Sequence, residues 1–192
     1  MKKGSFGYKI LKALGMVNEE SENESCCCNA GAETCSCSSN SKVVIVAPVS
    51  GSVVALKDVE DEAFNSEALG KGCAITPTVG EVYAPCDGVI SVVPDTNHAV
   101  GITADNGAEV LVHVGMNTVE LKGKGFEMLV KEDQKIKQGD LLMKFDMDVI
   151  KGAGLPTVTP VVVNNADEYA SFDVVVAPGS EVKVGDKLIE AK

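Results

Sequence analysis

The fold is decided by a short stretch that occurs twice: "APVSGSVV" at residues 47–54 and "APCDGVIS" at residues 84–91. A second pair of stretches, "KIKQGDLL" at 135–142 and "EVKVGDKL" at 181–188, places a Gly-Asp turn between two short apolar runs. Each pair of stretches predicts two copies of one hairpin unit. We therefore expect an all-β fold, an internally duplicated antiparallel β-sandwich with few short helical turns.

The rest of the chain from residue 42 onward supports this fold class. Short runs rich in valine and isoleucine alternate with Gly, Pro, Asp and Asn, a spacing typical of sandwiches and barrels. Three segments could form a turn or two of helix: "DEAFNSEAL" at 61–69, "DMDVIKG" at 146–152 and "NADEYA" at 165–170. We predict a single domain over residues 42–192.

Residues 1–17, "MKKGSFGYKILKALGMV", carry four lysines and no acidic residue. Apolar side chains recur at helical spacing, at Phe6, Ile10, Leu14 and Val17. This pattern predicts a basic amphipathic helix that contacts an anionic membrane surface. A frayed terminus and a helix packed on the protein's own domain are the alternatives. The interrupting lysines argue against a secretory signal and against a membrane span.

Residues 18–41 are rich in Glu, Ser, Asn and Cys and have almost no large apolar side chain, so we expect a disordered linker. Five of the seven cysteines lie there, at Cys26, Cys27, Cys28, Cys35 and Cys37. Their spacing is not a usual zinc pattern, which makes a metal or redox role the weaker reading. We expect a cytoplasmic protein with reduced thiols, peripheral at the inner face of the membrane through residues 1–17.

The net charge of −11 and the lack of any arginine argue against nucleic-acid binding, which requires clustered basic residues. An acidic surface instead suits a basic protein partner.

The chain has only two histidines, and one of them lies in "EVLVHVGMNTVELKGKGF" at residues 109–126. Alternation places Val110, Val112 and Val114 on one face of a strand and His113 on the other. Gly115 beside it removes side-chain bulk and lets another group approach closely. A half-buried histidine with only a structural role is the competing interpretation.

The second histidine, His98, lies in "PDTNHAVGI" at residues 94–102, at the start of the preceding strand. The polar turn "ADNGAE" joins the two strands, so the two imidazoles are expected to meet on a shared face. Such a pair suits transition-metal binding. It equally suits a nucleophile supported by a second ring, because neutral histidine can attack phosphorus near pH 7.

The stretch "GAEVLVHVGMNTVELKGKGF" at residues 107–126 resembles the active-site signature of the glucose-type IIA component (EIIA, type 1) of the phosphoenolpyruvate:sugar phosphotransferase system. The resemblance extends over roughly residues 43–190, in the family's order, and leaves out the Cys-rich linker. It runs through "APVSGSVVALKDVEDEAF", "GKGCAITPTVGEVYAPCDGVI", "TNHAVGI", "GDLLMKFD" and "TPVVVNN".

This resemblance implies a phosphotransferase component that needs no cofactor. His113 would accept a phosphoryl group from the phosphocarrier protein HPr and pass it to a cysteine of a IIB domain. His98 would stabilise the phosphoryl group, and Thr96 would hydrogen-bond His113 and orient it. An apolar rim containing Phe64 and Val119 would dock partners.

The resemblance also places Asp61 and Asn117 near the site. Asn117 stands where the family more often has an aspartate. The sequence leaves the sugar, the cognate IIB and IIC domains and the oligomeric state open.

Two other roles remain. Unphosphorylated family members bind regulated transporters or kinases, and His98 and His113 would then share a zinc ion with a ligand from the partner. A biotin- or lipoyl-carrier-like β domain is the alternative from another class, with Lys144 as the modified residue. Lys144 is expected inside a strand rather than at a hairpin tip, which favours an ordinary solvent-facing lysine.

Overall fold

The computed structural model describes residues 42–192. The predicted amphipathic segment at 1–17 and the predicted linker at 18–41 lie outside the described residues and stay predictions. Within 42–192, no helix is long and apolar enough to cross a membrane.

The described chain is built mainly of strands, and its only two α-helices are short. The strands are β1 (Val43–Val46), β2 (Gly51–Ala55), β3 (Lys71–Pro77), β4 (Glu81–Tyr83), β5 (Gly88–Val92), β6 (Ala99–Ala104), β7 (Glu109–His113), β8 (Phe126–Met128), β9 (Lys135–Ile136), β10 (Leu141–Phe145), β11 (Thr159–Val163), β12 (Phe172–Val174), β13 (Glu181–Val182) and β14 (Lys187–Ala191). The helices are α1 (Glu62–Asn65) and α2 (Met147–Gly152), and single 3-10 turns occur at Leu56–Asp58, Thr118–Leu121 and Ala166–Glu168.

The strands form one large sheet and two small ones. The large sheet has the order β13-β2-β3-β11-β7-β6-β5-β9, and the small sheets have the orders β1-β14-β12 and β4-β10-β8. Paired strands run antiparallel throughout. The fold is therefore the expected all-β sandwich.

The repeated stretches occupy matching places in this architecture. Ala47 donates its backbone N–H to the Asp186 carbonyl at 2.7 Å, and Ala84 donates to the Asp140 carbonyl at 2.8 Å. In the Gly-Asp turns, each aspartate carboxylate accepts a hydrogen bond at 2.8 Å from the backbone three residues earlier, at Lys137 and Lys183. The two copies are thus the same hairpin unit built twice, as the repeats predict.

The two halves of the fold are nested rather than consecutive. Strands β4 to β10 form one half, and this half is inserted between β3 and β11 of the other. The halves join at the centre of the large sheet, where β7 pairs with β11 and Val112 lies opposite Val161. Strand β7 is consequently covered along both of its edges.

Strand β7 is also covered on both faces. Val110, Val112 and Val114 enter the main core between the sheets, while Leu111 packs in a second cluster with Phe64 and Met116. A strand buried on two faces requires an almost continuous apolar run, which this strand has. His113 ends β7 on the same face as Leu111, beside that second cluster.

Candidate active site

The two histidines meet where β6 begins and β7 ends. Ala99, the first residue of β6, lies opposite His113, and the Val114 backbone N–H donates to the His98 carbonyl at 2.8 Å. These strand contacts bring the two rings edge to face, with centroids 4.8 Å apart and an interplanar angle of 81°. The structure thus brings together the two residues that the sequence analysis singled out.

Helix α1 packs against His113 and forms one wall of the site around the two imidazoles, called the histidine pocket below. The Asp61 carboxylate caps this helix by accepting the Ala63 N–H at 2.9 Å. Phe64 lies 5.2 Å from His113 between ring centroids, tilted by 59°. Only 2% of Phe64 is exposed, so it lies deeper than the other residues expected in the apolar rim, and its part in docking stays a prediction. Its ring is held inward because it belongs to the second apolar cluster.

The other expected docking residues differ in their exposure. Asp61 and Val119 are half-buried, and Asn117 is exposed. Asn117 adopts a left-handed backbone conformation with φ of 56° at the start of the 3-10 turn Thr118–Leu121. Asparagine and aspartate are the side chains best suited to that conformation, which accounts for a short polar residue at this position.

Thr96 hydrogen-bonds a different histidine from the one expected. Its Oγ1 lies 2.6 Å from Nδ1 of His98, two residues further along the chain. The expectation that Thr96 bonds His113 is therefore wrong in its partner. The chain folds back between Thr96 and His98 because Asn97 is left-handed, with φ of 53°. Any effect of Thr96 on His113 consequently passes through the His98 ring.

The loop after β7 is held by contacts that the sequence analysis missed. The Thr118 hydroxyl donates to the Val114 carbonyl at 2.6 Å, and the Met116 N–H donates to the Pro156 carbonyl at 3.1 Å. Gly115 has φ of 73°, and a Cβ there would come within 2.5 Å of the Thr118 methyl. In the sequence, the glycine at position 115 is the local signal that could have pointed to Thr118. Pro156 carries no such signal because it is distant in sequence.

Burial keeps both imidazoles neutral. It lowers the pKa of His98 to about 4. Burial, reinforced by the neighbouring His98, lowers the pKa of His113 to about 3. The Gly115 backbone partly offsets this second shift, although Nδ1 of His113 has no partner in hydrogen-bonding geometry within the described residues. Nε2 of His98 is likewise buried without a partner in residues 42–192.

The two imidazoles do not complete a metal site. Among residues 42–192, no group of three or more His, Cys, Asp or Glu side chains could hold a metal ion. Structural zinc sites take four protein ligands, so a zinc ion on His98 and His113 would need further ligands from a partner.

Lys144 and the two described cysteines, Cys73 and Cys86, are disfavoured as reactive groups. Lys144 is exposed within β10, opposite Glu81 and Glu127 in the neighbouring strands, and not at the turn before it. Cys73 and Cys86 are free and buried, and burial raises the pKa of each thiol to about 12. Thiols with such a high pKa are poor nucleophiles at neutral pH.

Comparisons with known proteins agree with this geometry. The family described as "phosphoenolpyruvate-dependent sugar phosphotransferase system, EIIA 1" matches residues 43–169. The glucose permease IIA of Mycoplasma capricolum has a similar structure, with a TM-score of 0.70 and 35% identity, over 79% of this chain and 96% of that protein.

Three larger proteins have similar sequences. A PTS system beta-glucoside-specific EIIBCA component of Halalkalibacterium halodurans is 42% identical over 78% of this chain and 23% of its own length. One of the same description from Bacillus subtilis is 45% identical over 68% and 21%. A PTS system glucose-specific EIICBA component of Staphylococcus carnosus is 45% identical over 78% and 22%. This chain thus spans less than a quarter of these relatives, and it belongs to the EIIA type 1 family of the phosphoenolpyruvate-dependent sugar phosphotransferase system.

Proposed function

We propose that this chain is a phosphoryl carrier in sugar uptake, accepting a phosphoryl group from HPr on His113 and passing it to a cysteine of a IIB domain. The observation that carries this proposal is the pair of buried, neutral imidazoles in edge-to-face contact at the end of β7. A nucleophile for phosphorus must offer a free lone pair, which a neutral ring has and a protonated ring lacks.

Nε2 is the nitrogen of His113 that reacts. Nδ1 is buried, which leaves Nε2 as the ring nitrogen for a phosphoryl group brought by a partner. The Nε2 lone pair forms a bond to phosphorus as the donor's bond to phosphorus breaks, and the released electron pair stays on the donor. In the second transfer a thiolate of the IIB domain attacks phosphorus, and the electron pair of the P–N bond returns to His113. Positioning and charge stabilisation dominate such transfers.

His98 supports the phosphoryl group through its own Nε2. When the Thr96 hydroxyl donates to Nδ1 of His98, the neutral ring carries its proton on Nε2. That N–H is buried and without a partner among the described residues, so it is ready to donate to a phosphoryl oxygen beside His113. Arrival of the phosphoryl group would therefore satisfy a donor that has no partner within residues 42–192.

The relatives support a IIB partner because their descriptions combine A, B and C components in one chain. Asp61, Asn117 and Val119 would contact HPr and the IIB domain, with Phe64 beneath them against His113. The acidic chain would speed encounter with a basic partner. We further propose a cytoplasmic location with peripheral membrane contact through residues 1–17, on the basis of the lysine-rich amphipathic pattern in that segment.

The proposal is tested by incubating the protein with phosphoenolpyruvate, enzyme I and HPr. One acid-labile, base-stable phosphoryl group should be added per chain. His113→Gln should abolish labelling, whereas His98→Gln should accept the group and pass it to a IIB domain much more slowly. Lys144→Arg is the matched control for the carrier alternative and should label normally. Full labelling of His113→Gln would overturn the assignment.

A further inference from the structure

We infer that Asn97 is a positioning residue for phosphoryl transfer, because its left-handed backbone places the Thr96 hydroxyl against His98. This inference rests on the proposed function. Among residues 42–192, no contact joins the Asn97 side chain to either histidine ring. Asn97 would act through the chain geometry alone.

The geometry around Asn97 constrains the chain on both sides. The Asn97 N–H donates to the Pro94 carbonyl at 2.8 Å, which closes a turn immediately before the strand. The carbonyl of His98 is tied to the Val114 N–H, at the start of the β6–β7 pairing. The chain must therefore change from a turn to a strand at Asn97, and it does so with φ of 53°.

The side chains on either side of Asn97 are in direct hydrogen-bonding contact. In a strand, residues two apart share one face, with their Cα atoms about 6.6 Å apart. Here the Thr96 Oγ1 and His98 Nδ1 atoms are 2.6 Å apart. Because the left-handed residue lies between them, its backbone sets the direction from which the hydroxyl meets the ring.

Few side chains tolerate that backbone. Glycine adopts positive φ freely, asparagine does so more readily than most residues, and β-branched side chains are strongly disfavoured there. A β-branched residue at position 97 should rotate the turn, weaken the Thr96 bond and leave the neutral His98 ring free to place its proton on either nitrogen. Rings protonated on Nδ1 cannot donate from Nε2 to a phosphoryl oxygen.

The test compares Asn97→Val, Asn97→Ala and Asn97→Gly in the full chain. The control is Asp133→Val, which places the same side chain at a second left-handed position, with φ of 63°, that is exposed whereas Asn97 is half-buried. Nitrogen chemical shifts of the imidazoles report the tautomer without any phosphorylation, and His113→Gln assigns the two rings. Transfer from the labelled protein to a IIB domain is measured in parallel.

We expect wild type, Asn97→Gly and Asp133→Val to keep the His98 proton on Nε2. Asn97→Val, and Asn97→Ala to a smaller degree, should show mixed tautomers and transfer roughly tenfold to a hundredfold more slowly, the scale of a misplacement by about 1 Å. Adding Asn97→Val to Thr96→Ala should cost little more than Thr96→Ala alone, because both act on one bond.

Two results would overturn the inference. One is a wild-type His98 tautomer in folded Asn97→Val or Asn97→Ala. The other is full additivity of the rate losses with Thr96→Ala. If the wild-type protein is never phosphorylated, the proposed function fails, and the tautomer comparison still decides whether Asn97 positions the Thr96 hydroxyl.

Discussion

At the scale of single residues, burial gives the two histidines their chemistry. An exposed imidazole has a pKa near 6.5 and is partly protonated at neutral pH. In this protein the strand pairing and the apolar cluster around Phe64 remove both rings from water. The lowered pKa values keep the nucleophile of the proposed transfer in its reactive form without a separate general base.

Neither histidine should titrate near pH 6.5. Proton NMR of the ring C–H signals should show no protonation of His98 or His113 above about pH 5, in accord with pKa values of about 4 and 3. As the pH falls, the unfolded chain takes up these protons before the folded protein does. The histidines' contribution to the free energy of unfolding is therefore fully present above about pH 6.5 and is lost as the pH drops toward the pKa values of the folded protein. The loss by pH 4.5 should be on the order of 2 kcal/mol per histidine.

Carboxylates also titrate in that range, so the control is the double variant His98→Gln, His113→Gln. Urea unfolding between pH 7 and 4.5 should show a shallower loss of stability in this variant than in wild type. A ring signal that moves with a midpoint near pH 6.5 in the wild type would contradict the buried, neutral pair.

Gly115 should be intolerant of any side chain. A Cβ at this position would meet the Thr118 methyl at 2.5 Å and the Pro156 carbonyl oxygen at 2.9 Å, on a backbone with φ of 73°. Gly115→Ala should therefore lower the free energy of unfolding by about 1–3 kcal/mol in urea titrations. It should also slow labelling of His113, because the loop next to the ring must move.

Gly152→Ala provides the matched control, because a Cβ there would meet nothing within 4 Å and the residue ends α2 without positive φ. Its effect on stability should be neutral or favourable by about 0.5–1 kcal/mol. Equal losses at the two glycines would show that steric crowding at Gly115 is not the cause.

The sequence alone allowed the histidine pair to be predicted but not its contacts. Alternation of valines placed His113 on the face opposite the core, and a short polar turn placed His98 beside it. The partner of Thr96 depends on one left-handed residue, Asn97, and a backbone angle of that kind is not specified by spacing. The depth of Phe64 depends on the cluster that surrounds α1, whose members come from distant parts of the chain.

At the scale of single elements, α1 connects Asp61, a proposed docking residue, with His113, the proposed nucleophile. It is only four residues long, so its position depends on its cap and on Phe64 rather than on its own hydrogen bonds. Its phenylalanine touches His113, and its cap, Asp61, lies half-buried beside the pocket. A partner that moved α1 would thereby move a wall of the histidine pocket.

Removing the α1 cap should loosen the contact between Phe64 and His113 in addition to lowering the stability of the protein. Asp61→Ala should cost about 1 kcal/mol in thermal or urea unfolding and weaken the NOE between the Phe64 and His113 rings. Asp61→Asn keeps a capping oxygen and should restore the NOE, which separates the cap from the carboxylate charge. Transfer rates of the two variants would then report the role of that charge in docking.

The control for this experiment lies at the other helix. The Asp146 carboxylate caps α2 by accepting the Asp148 and Val149 N–H groups at 2.9 and 3.2 Å. Asp146→Ala should lose similar stability and leave the Phe64–His113 NOE unchanged. An unchanged NOE in Asp61→Ala would show that the cap does not hold Phe64 in place.

The elements themselves were largely predictable. The three segments expected to give helical turns do so, at Glu62–Asn65, Met147–Gly152 and Ala166–Glu168. The run "KIKQGDLL" divides into β9 and β10 at its Gly-Asp turn, as expected, because Gly139 takes φ of 89° there. The terminal segments 1–17 and 18–41 and the domain boundary at 42 remain predictions.

At the scale of the whole molecule, the repeats predicted the duplication but not the nesting. Equal hairpin units can be joined as consecutive halves or as one half inserted into the other, and local sequence favours neither. The structure takes the second arrangement, with β4 to β10 between β3 and β11. As a result the two strands at the centre of the large sheet, β7 and β11, come from different halves, and the strand that carries His113 is held by both.

This nesting predicts that the two halves unfold together. Asp140 and Asp186 make the same turn in the two halves, each through a 2.8 Å hydrogen bond from a lysine backbone. Asp140→Ala and Asp186→Ala should each lower the free energy of unfolding by about 1 kcal/mol. Both should do so in a single transition that near- and far-ultraviolet circular dichroism report identically.

Asp173→Ala is the control, because that exposed side chain makes no hydrogen bond within residues 42–192 and should change stability little. A separate early transition in only one of the two variants would show that the halves are independent, and the central β7–β11 pairing would then not couple them.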